Sequence, residues 1–278
     1  MIGREADLER VLGVLDEGAL LVTIAGPAGV GKTTLAGHVV GALAERGAQA
    51  VYFADLTHAT SVADIEGAVL RALSREAAWR EHAHLGAVLE SLGPTILVLD
   101  NFEQVVGHAD QTVASWISSV PELQVVVTSR ERLRLPFEVV HDLRPLAVPR
   151  AAGEDSAALE LWIQRVRAID ASYSVDASSA GIVAELVRRL DGLPLAIELA
   201  AARLGRLSTE DLRVELEALA LAPGLRDAID ASFELLTADE QTVFAACGVF
   251  RGDISVEAIQ AVSGVPNALD AVASLLDK

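Results

Sequence analysis

Lysine is almost absent from this chain. Of its 22 basic residues in 278, all but Lys32 and the terminal Lys278 are arginine. A lysine kept in such a background marks a place that needs a compact, flexible point charge. Cysteine is reduced to Cys247, which sits in an apolar stretch and excludes an internal disulfide. Positive charge is scarce overall: 40 acidic residues leave a formal net charge of -18. That balance serves solubility and argues against a general polyanion binder, because nucleic-acid affinity rests largely on phosphate neutralisation. Long apolar runs are missing too, all of them stopping well short of the roughly 18 residues of a membrane span. The N-terminus carries Arg4, Glu5 and Asp7 in place of a secretion signal. The expectation is a soluble, cytoplasmic protein. His82 and His84 stand without further Cys, His or carboxylate at ligand spacing, so no metal site built from protein groups alone is expected.

What is present is a large hydrophobic fraction, 51%, with 22% charged residues, enough to bury a real core. The length predicts two or three domains. The most informative stretch is Leu20 to Leu35, LLVTIAGPAGVGKTTL, where an apolar run turns into a glycine-rich loop ending in Gly31-Lys32-Thr33-Thr34. The spacing Gly26-x-x-x-x-Gly31-Lys32-Thr33 is that of a phosphate-binding loop, with a buried strand before it and an amphipathic helix after it. Glycines 26, 29 and 31 let the backbone of Gly26, Pro27, Ala28, Gly29, Val30 and Gly31 curl so that several N–H groups converge on a polyphosphate. The positive end of the following helix dipole adds to the attraction. In this reading Lys32 reaches the β- and γ-phosphates, the Thr33 hydroxyl binds Mg²⁺, and Thr34 contacts the α-phosphate.

The periodicity predicts an entry helix with Leu8, Val11, Leu12 and Leu15 on one face, a strand over Leu20–Ala25, a helix ending before Gly47, and a strand over Ala50–Ala54. A broken helical region follows to about Leu92, and it includes Trp79, His82 and His84. Thr95-Ile96-Leu97-Val98-Leu99-Asp100 reads as a fully buried strand ending in a carboxylate. An open α/β sheet places site residues at such ends, so Asp100 is expected to hold Mg²⁺ through water; the plainer alternative is a helix-capping aspartate. The next position is Asn101, which cannot act as a base, and Glu103 is the nearest acid that could polarise water or else sit at a helix start. Leu123 to Val127 delivers Thr128-Ser129-Arg130 in the same way, making Arg130 a candidate γ-phosphate sensor; with Arg132 and Arg134 nearby, a solvated basic face is the alternative. A short strand over Glu138 to Asp142 closes the sheet.

Pro145, Pro149 and Arg150 to Asp155 read as a linker. Helices are then expected over Ala157–Ala168, Ser179–Leu190, Pro194–Leu204 and Thr209–Leu219, with Gly192-Leu193-Pro194-Leu195 as a helix start. From about Leu225 a third unit begins, with helices near Asp239–Cys247, Val256–Val262 and Ala268–Leu276. The chain stops inside this pattern, as a piece of a longer protein would.

Taken together, Gly3-Arg4-Glu5, the loop from Gly26 to Thr34, Leu97 to Val105, Thr128-Ser129-Arg130, Leu143 to Pro149, Gly192-Leu193-Pro194-Leu195-Ala196 and Ala228 to Leu236 resemble the STAND class of regulatory ATPases. The likeness is to the NB-ARC-like domains of bacterial LuxR-type and SARP-type transcriptional regulators. The resemblance implies an α/β P-loop NTPase of the ASCE type over residues 1–148, a helical domain over 149–222, and a winged-helix-like domain over 223–278 that ends early. It implies that Ile2, Gly3 and Arg4 lie near the adenine and that Pro194 touches base or ribose. It further implies an ATP/ADP switch: ADP holds a closed monomer, and ATP favours an open form that assembles with itself. In such relatives sensor repeats and a DNA-binding helix-turn-helix lie elsewhere in the chain. Asn101 departs from the second acid of other NB-ARC proteins, which implies slow hydrolysis, and because the winged-helix-like unit ends near Lys278, the late histidine motif that reads the ADP phosphate in relatives is not assigned. A second reading, a DNA-engaging ATPase of the AAA+ origin-binding kind, has the net charge and the Pro194 motif against it. A small-molecule kinase lacks a recognisable acceptor-site base or lid.

Overall fold

The computed structural model describes residues 1–47, 50–73, 85–204, 236–250 and 254–276, with Asp211, Val214 and Phe233. Trp79, His82, His84, the division at residues 222–223, and most of the stretches Thr209–Leu219 and Ala228–Leu236 lie outside the described residues. The chain falls into two compact units, Met1–Arg144 and Pro145–Lys278.

The first unit is a sheet of five strands, β1 (Leu21–Ala25), β2 (Ala50–Asp55), β3 (Thr95–Asp100), β4 (Leu123–Ser129) and β5 (Glu138–Asp142), in the order β2-β3-β4-β1-β5. Every pairing is parallel. Parallel strands need crossovers, and helices supply those from β1 to β4: α2 (Lys32–Glu45) between β1 and β2, α3 (Val62–Leu73) and α4 (Leu85–Ser91) between β2 and β3, and α5 (Ser115–Ser119) between β3 and β4, while α1 (Glu5–Asp16) precedes the sheet. Strand β4 stands between β1 and β3, so Asp100 lies two strands away from the glycine-rich loop. This is the α/β P-loop fold. Strands β1 and β3 are buried at every position, the signature of a sheet covered on both faces, and Leu21, Leu97, Leu99, Leu123 and Val125 form one cluster with Val69, Leu89, Phe102 and Trp116. Each such aliphatic side chain contributes about 1.5–3 kcal/mol by leaving water. Strand β2 lies at the sheet edge and alternates between buried and exposed positions at its outer end, which matters below.

The regular elements of the second unit, among its described residues, are all helices: α6 (Ala157–Ile169), α7 (Ala180–Arg189), α8 (Pro194–Leu204), α9 (Ala238–Cys247), α10 (Val256–Ser263) and α11 (Ala268–Leu276). The starts are written in the sequence. Ser156 caps α6 by accepting from the Leu159 amide at 3.2 Å, and Ser255 caps α10 by accepting from Ala258 at 3.2 Å. Thr237 and Glu240 form a reciprocal capping box on α9. Val243, Ile259, Val265, Ala268 and Ala271 make a small core among α9, α10 and α11. Gly192 has φ +66, and its carbonyl accepts from the Leu146 amide at 2.9 Å. A Cβ there would lie 2.2 Å from the Leu146 carbonyl oxygen. The Gly192-Leu193-Pro194 turn is therefore more than the start of α8: it fastens the beginning of the linker to the helices.

Candidate functional site

The loop between β1 and α2 is shaped by glycines for different reasons. Gly29 and Gly31 have φ of +74 and +97, a region that costs any other residue, and Gly31 caps α2 in that conformation. Gly26 is needed for space, because a Cβ would lie 2.7 Å from the Leu143 carbonyl oxygen. Pro27, Ala28, Gly29, Val30 and Gly31 make the rest of the turn, with Val30 buried and Pro27 exposed. Lys32 opens α2 and is 8% exposed; its Nζ donates to the carbonyls of Gly26 at 2.9 Å and Pro27 at 3.0 Å. An ammonium has three N–H donors, so one remains for a further acceptor. Burial lowers the Lys32 pKa and Arg130 adds to that, while Glu103 and Asp100 oppose it.

Thr33 and Asp100, far apart in sequence, meet here: Thr33 Oγ1 donates to Asp100 Oδ1 at 3.0 Å. Thr128 Oγ1 donates to the same oxygen at 2.5 Å, and Asn101 Nδ2 donates to Asp100 Oδ2 at 3.1 Å. Asp100 is 2% exposed, and burial raises its pKa, with Asp55 and Glu103 adding to the rise against the two threonine hydroxyls. No helix is capped by this carboxylate; it is spent on side chains of the site. Glu103 lies in a short 3-10 turn, Phe102–Gln104, where its Oε1 accepts from Arg130 Nε at 3.1 Å and its buried Oε2 makes no hydrogen bond among the described residues. Thr34 is exposed on the first turn of α2. Arg132 pairs with Asp142 at 3.4 Å and is exposed, as a solvated basic face would be.

These groups fit a hydrated magnesium ion. A threonine hydroxyl and a buried carboxylate stand in contact, and a carboxylate oxygen left without a donor lies within electrostatic reach of Lys32 and Asp100. Mg²⁺ keeps several waters and takes only one or two protein carboxylates beside substrate phosphates. Among the described residues no group of three or more His, Cys, Asp or Glu side chains is arranged to hold a metal alone. No helix among them is long and apolar enough to cross a membrane.

Three features go beyond the sequence reading. Asp55 pairs in register with Asp100, and its Oδ1 accepts from Thr57 Oγ1 at 2.6 Å, Thr57 N at 2.9 Å and Asn101 Nδ2 at 3.3 Å. Burial would raise its pKa, but the hydroxyl and amide of Thr57 and the Asn101 amide outweigh it and hold the carboxyl below its ordinary value. Asn101 itself has φ +63, a left-handed conformation that asparagine tolerates better than most residues. Arg4, expected near an adenine, is 9% exposed, and its guanidinium donates to the Val30 carbonyl at 2.8 Å and the Arg144 carbonyl at 2.7 Å. Ile2 is half-buried beside it and Gly3 has φ +62. Pro194 is the first residue of α8, in the second compact unit.

Comparison with known proteins places this geometry. Residues 20–150 match the NACHT domain family. An uncharacterised protein of Mycobacterium tuberculosis is 30% identical over 278 residues, covering 94% of this chain and 68% of that protein. A second protein of the same organism, whose name assigns it provisionally to the HTH-type transcriptional regulators, is 31% identical over 281 residues, covering 93% of this chain and 30% of its own length. Among solved structures, a Signal Transduction ATPase with Numerous Domains (STAND) carrying a tetratricopeptide repeat sensor, from Pyrococcus horikoshii, superposes with a TM-score of 0.58 at 17% identity. That match covers 97% of this chain and 38% of the larger one, so the chain spans well under half of the STAND protein and of the regulator. Sequence relatives, family match and fold agree: the chain belongs to the STAND class of P-loop NTPases.

Proposed function

We propose that this chain is the ATP/ADP-binding core of a signal-transduction or transcriptional regulator, a nucleotide switch that resets by slow hydrolysis. The observation that carries the reading is the meeting of Thr33 and Asp100 at 3.0 Å beneath a glycine loop whose lysine keeps a donor to spare. Loop amides from Ala28 to Gly31 and the first turn of α2 cradle the phosphates, Lys32 spans the β- and γ-phosphates, and Thr34 meets the α-phosphate. Thr33 and Asp100 hold Mg²⁺, which when bound neutralises charge on the phosphate oxygens. Arg130 exchanges Glu103 for the terminal phosphate and so distinguishes ATP from ADP, with Glu103 as the acid it leaves beside the site. Ile2, Gly3 and the backbone at Arg4 border the base, and Pro194 approaches it from the helical part.

The chain is organised in this reading as a nucleotide-binding domain over residues 1–148, a helical domain over 149–222 and a winged-helix-like domain over 223–278, of the NB-ARC kind. A nucleotide shifts such an assembly only by its differential affinity for two arrangements. Sensor and DNA-binding parts belong to other segments of the full-length protein, in keeping with the relative named for transcriptional regulation and with the net charge of -18 here. The test is a fluorescence titration with a labelled ADP and ATP. Replacing Lys32 removes charge-assisted hydrogen bonds worth about 1.5–3 kcal/mol, so Lys32→Ala is expected to weaken binding roughly 10- to 150-fold. Unchanged affinity for both nucleotides would overturn the assignment.

A further inference from the structure

Hydrolysis needs a group that orients water toward the terminal phosphate, and the position directly after Asp100 holds Asn101, which has no basic oxygen of that kind. Glu103 is the nearest acid in sequence, but its Oε1 is engaged by Arg130 at 3.1 Å. The sheet itself offers another. Strand β2 is the neighbour of β3, and its last residue, Asp55, is the register partner of Asp100. Asn101 turns left-handed at the end of β3, and its one amide group donates to Asp100 Oδ2 at 3.1 Å, to Thr57 Oγ1 at 2.8 Å and to Asp55 Oδ1 at 3.3 Å. All of the hydrogen bonds that fix Asp55 fall on Oδ1, from Thr57 and Asn101, and Oδ2 takes none among the described residues. The carboxylate is thus clamped by one oxygen and offers the other, at the edge of the same network that joins Thr33 to Asp100.

We infer that Asp55 supplies the missing acid: it orients the attacking water for ATP hydrolysis, held in place by the Asn101 amide and Thr57. This rests on the reading of the site as an ATP site. Asp55 Oδ2 accepts a hydrogen of the water whose oxygen forms the new bond to the γ-phosphorus. The bond from that phosphorus to the bridging oxygen breaks, its electron pair leaves on ADP, and the proton taken by Asp55 passes to solvent. Asn101 then has a purpose that an acid at its position would not serve, because a carboxylate there would repel both Asp100 and Asp55, whereas an amide joins them.

The experiment measures nucleotide affinity and single-turnover release of phosphate from γ-labelled ATP, on wild-type protein, Asp55→Asn and Asp55→Asn/Asn101→Asp. Asp55 is exposed, so the substitution leaves the fold intact, which thermal melting checks. The expected result is a fall of about 10²-fold in the hydrolysis rate of Asp55→Asn, the low end of general-base contributions, with ATP and ADP affinities within a few-fold of wild type. The double variant, which moves the acid one strand over, is expected to recover part of the rate. A rate for Asp55→Asn equal to wild type overturns the inference and leaves the nucleotide site standing. So does tight binding of ATP by wild-type protein with no turnover at all. Wild-type protein that binds neither nucleotide overturns both.

Discussion

Asp100 and Lys32 are the two charges of the candidate site that the surrounding protein holds least comfortably. Burial raises the Asp100 pKa and lowers that of Lys32, so each group is pushed toward its neutral form. For Asp100 the folded state binds the proton more tightly than the unfolded chain does. Its contribution to stability is therefore full below the unfolded value of about 3.9 and is lost as pH rises through the higher folded value. Above that window the ionised carboxylate weighs against the nucleotide-free fold. Asp100→Asn is accordingly expected to melt at a higher temperature than wild type at pH 8 without nucleotide, with the difference narrowing toward pH 4, and to lose magnesium-dependent nucleotide binding. Calorimetric melts across that range check it, and a lower melting temperature at pH 8 would count against the account. On the proposed reading a magnesium nucleotide would reverse the balance, giving Asp100 a cation and Lys32 an anion.

At the level of strands, helices and turns, much was legible because the information is local. The strands β1, β3, β4 and β5 show as apolar runs or short β-rich segments, and α8 and α11 begin and end where Pro194, Ala268, Leu204 and Leu276 predict. The glycine loop was legible for the same reason. Asp55 was not: the edge strand alternates and was read as ending at Ala54, one residue short of the carboxylate that pairs with Asp100. The backbone acceptors of Arg4 are not legible in sequence either, since they lie 26 and 140 residues along the chain and nothing near Arg4 announces them. Gly192 is similar, because only the approach of the Leu146 carbonyl shows why a side chain is forbidden. Gly192→Ala must both hold a left-handed backbone, at about 1–2 kcal/mol, and displace that carbonyl, at about 1–3 kcal/mol. A loss of roughly 2–5 kcal/mol in urea unfolding is expected, against only the backbone cost of about 1–2 kcal/mol for Gly153→Ala, where φ is also positive but a Cβ meets nothing within 4 Å. Equal losses at the two positions would show that backbone conformation alone is responsible.

Across the whole molecule, the chain leaves the first compact unit at Arg144 and enters the second at Pro145. If nucleotide identity governs assembly, sedimentation velocity should show a monomer with ADP and a larger species with a non-hydrolysable ATP analogue, and Lys32→Ala should stay monomeric with either. A single sedimentation coefficient in both states would remove the switch while leaving the binding site. The place where the chain crosses between the units has its own significance. The Leu143 amide donates to the Ala25 carbonyl at 2.7 Å, the Leu143 carbonyl lies where a side chain on Gly26 would be, and Arg4 grips Val30 and Arg144 with one guanidinium. The glycine loop and the last residues of the first unit are thus tied together by direct contacts. If the chain switches with its nucleotide as proposed, no relay across the sheet would be needed: a shift in the cradle would reach the last residues of the first unit directly.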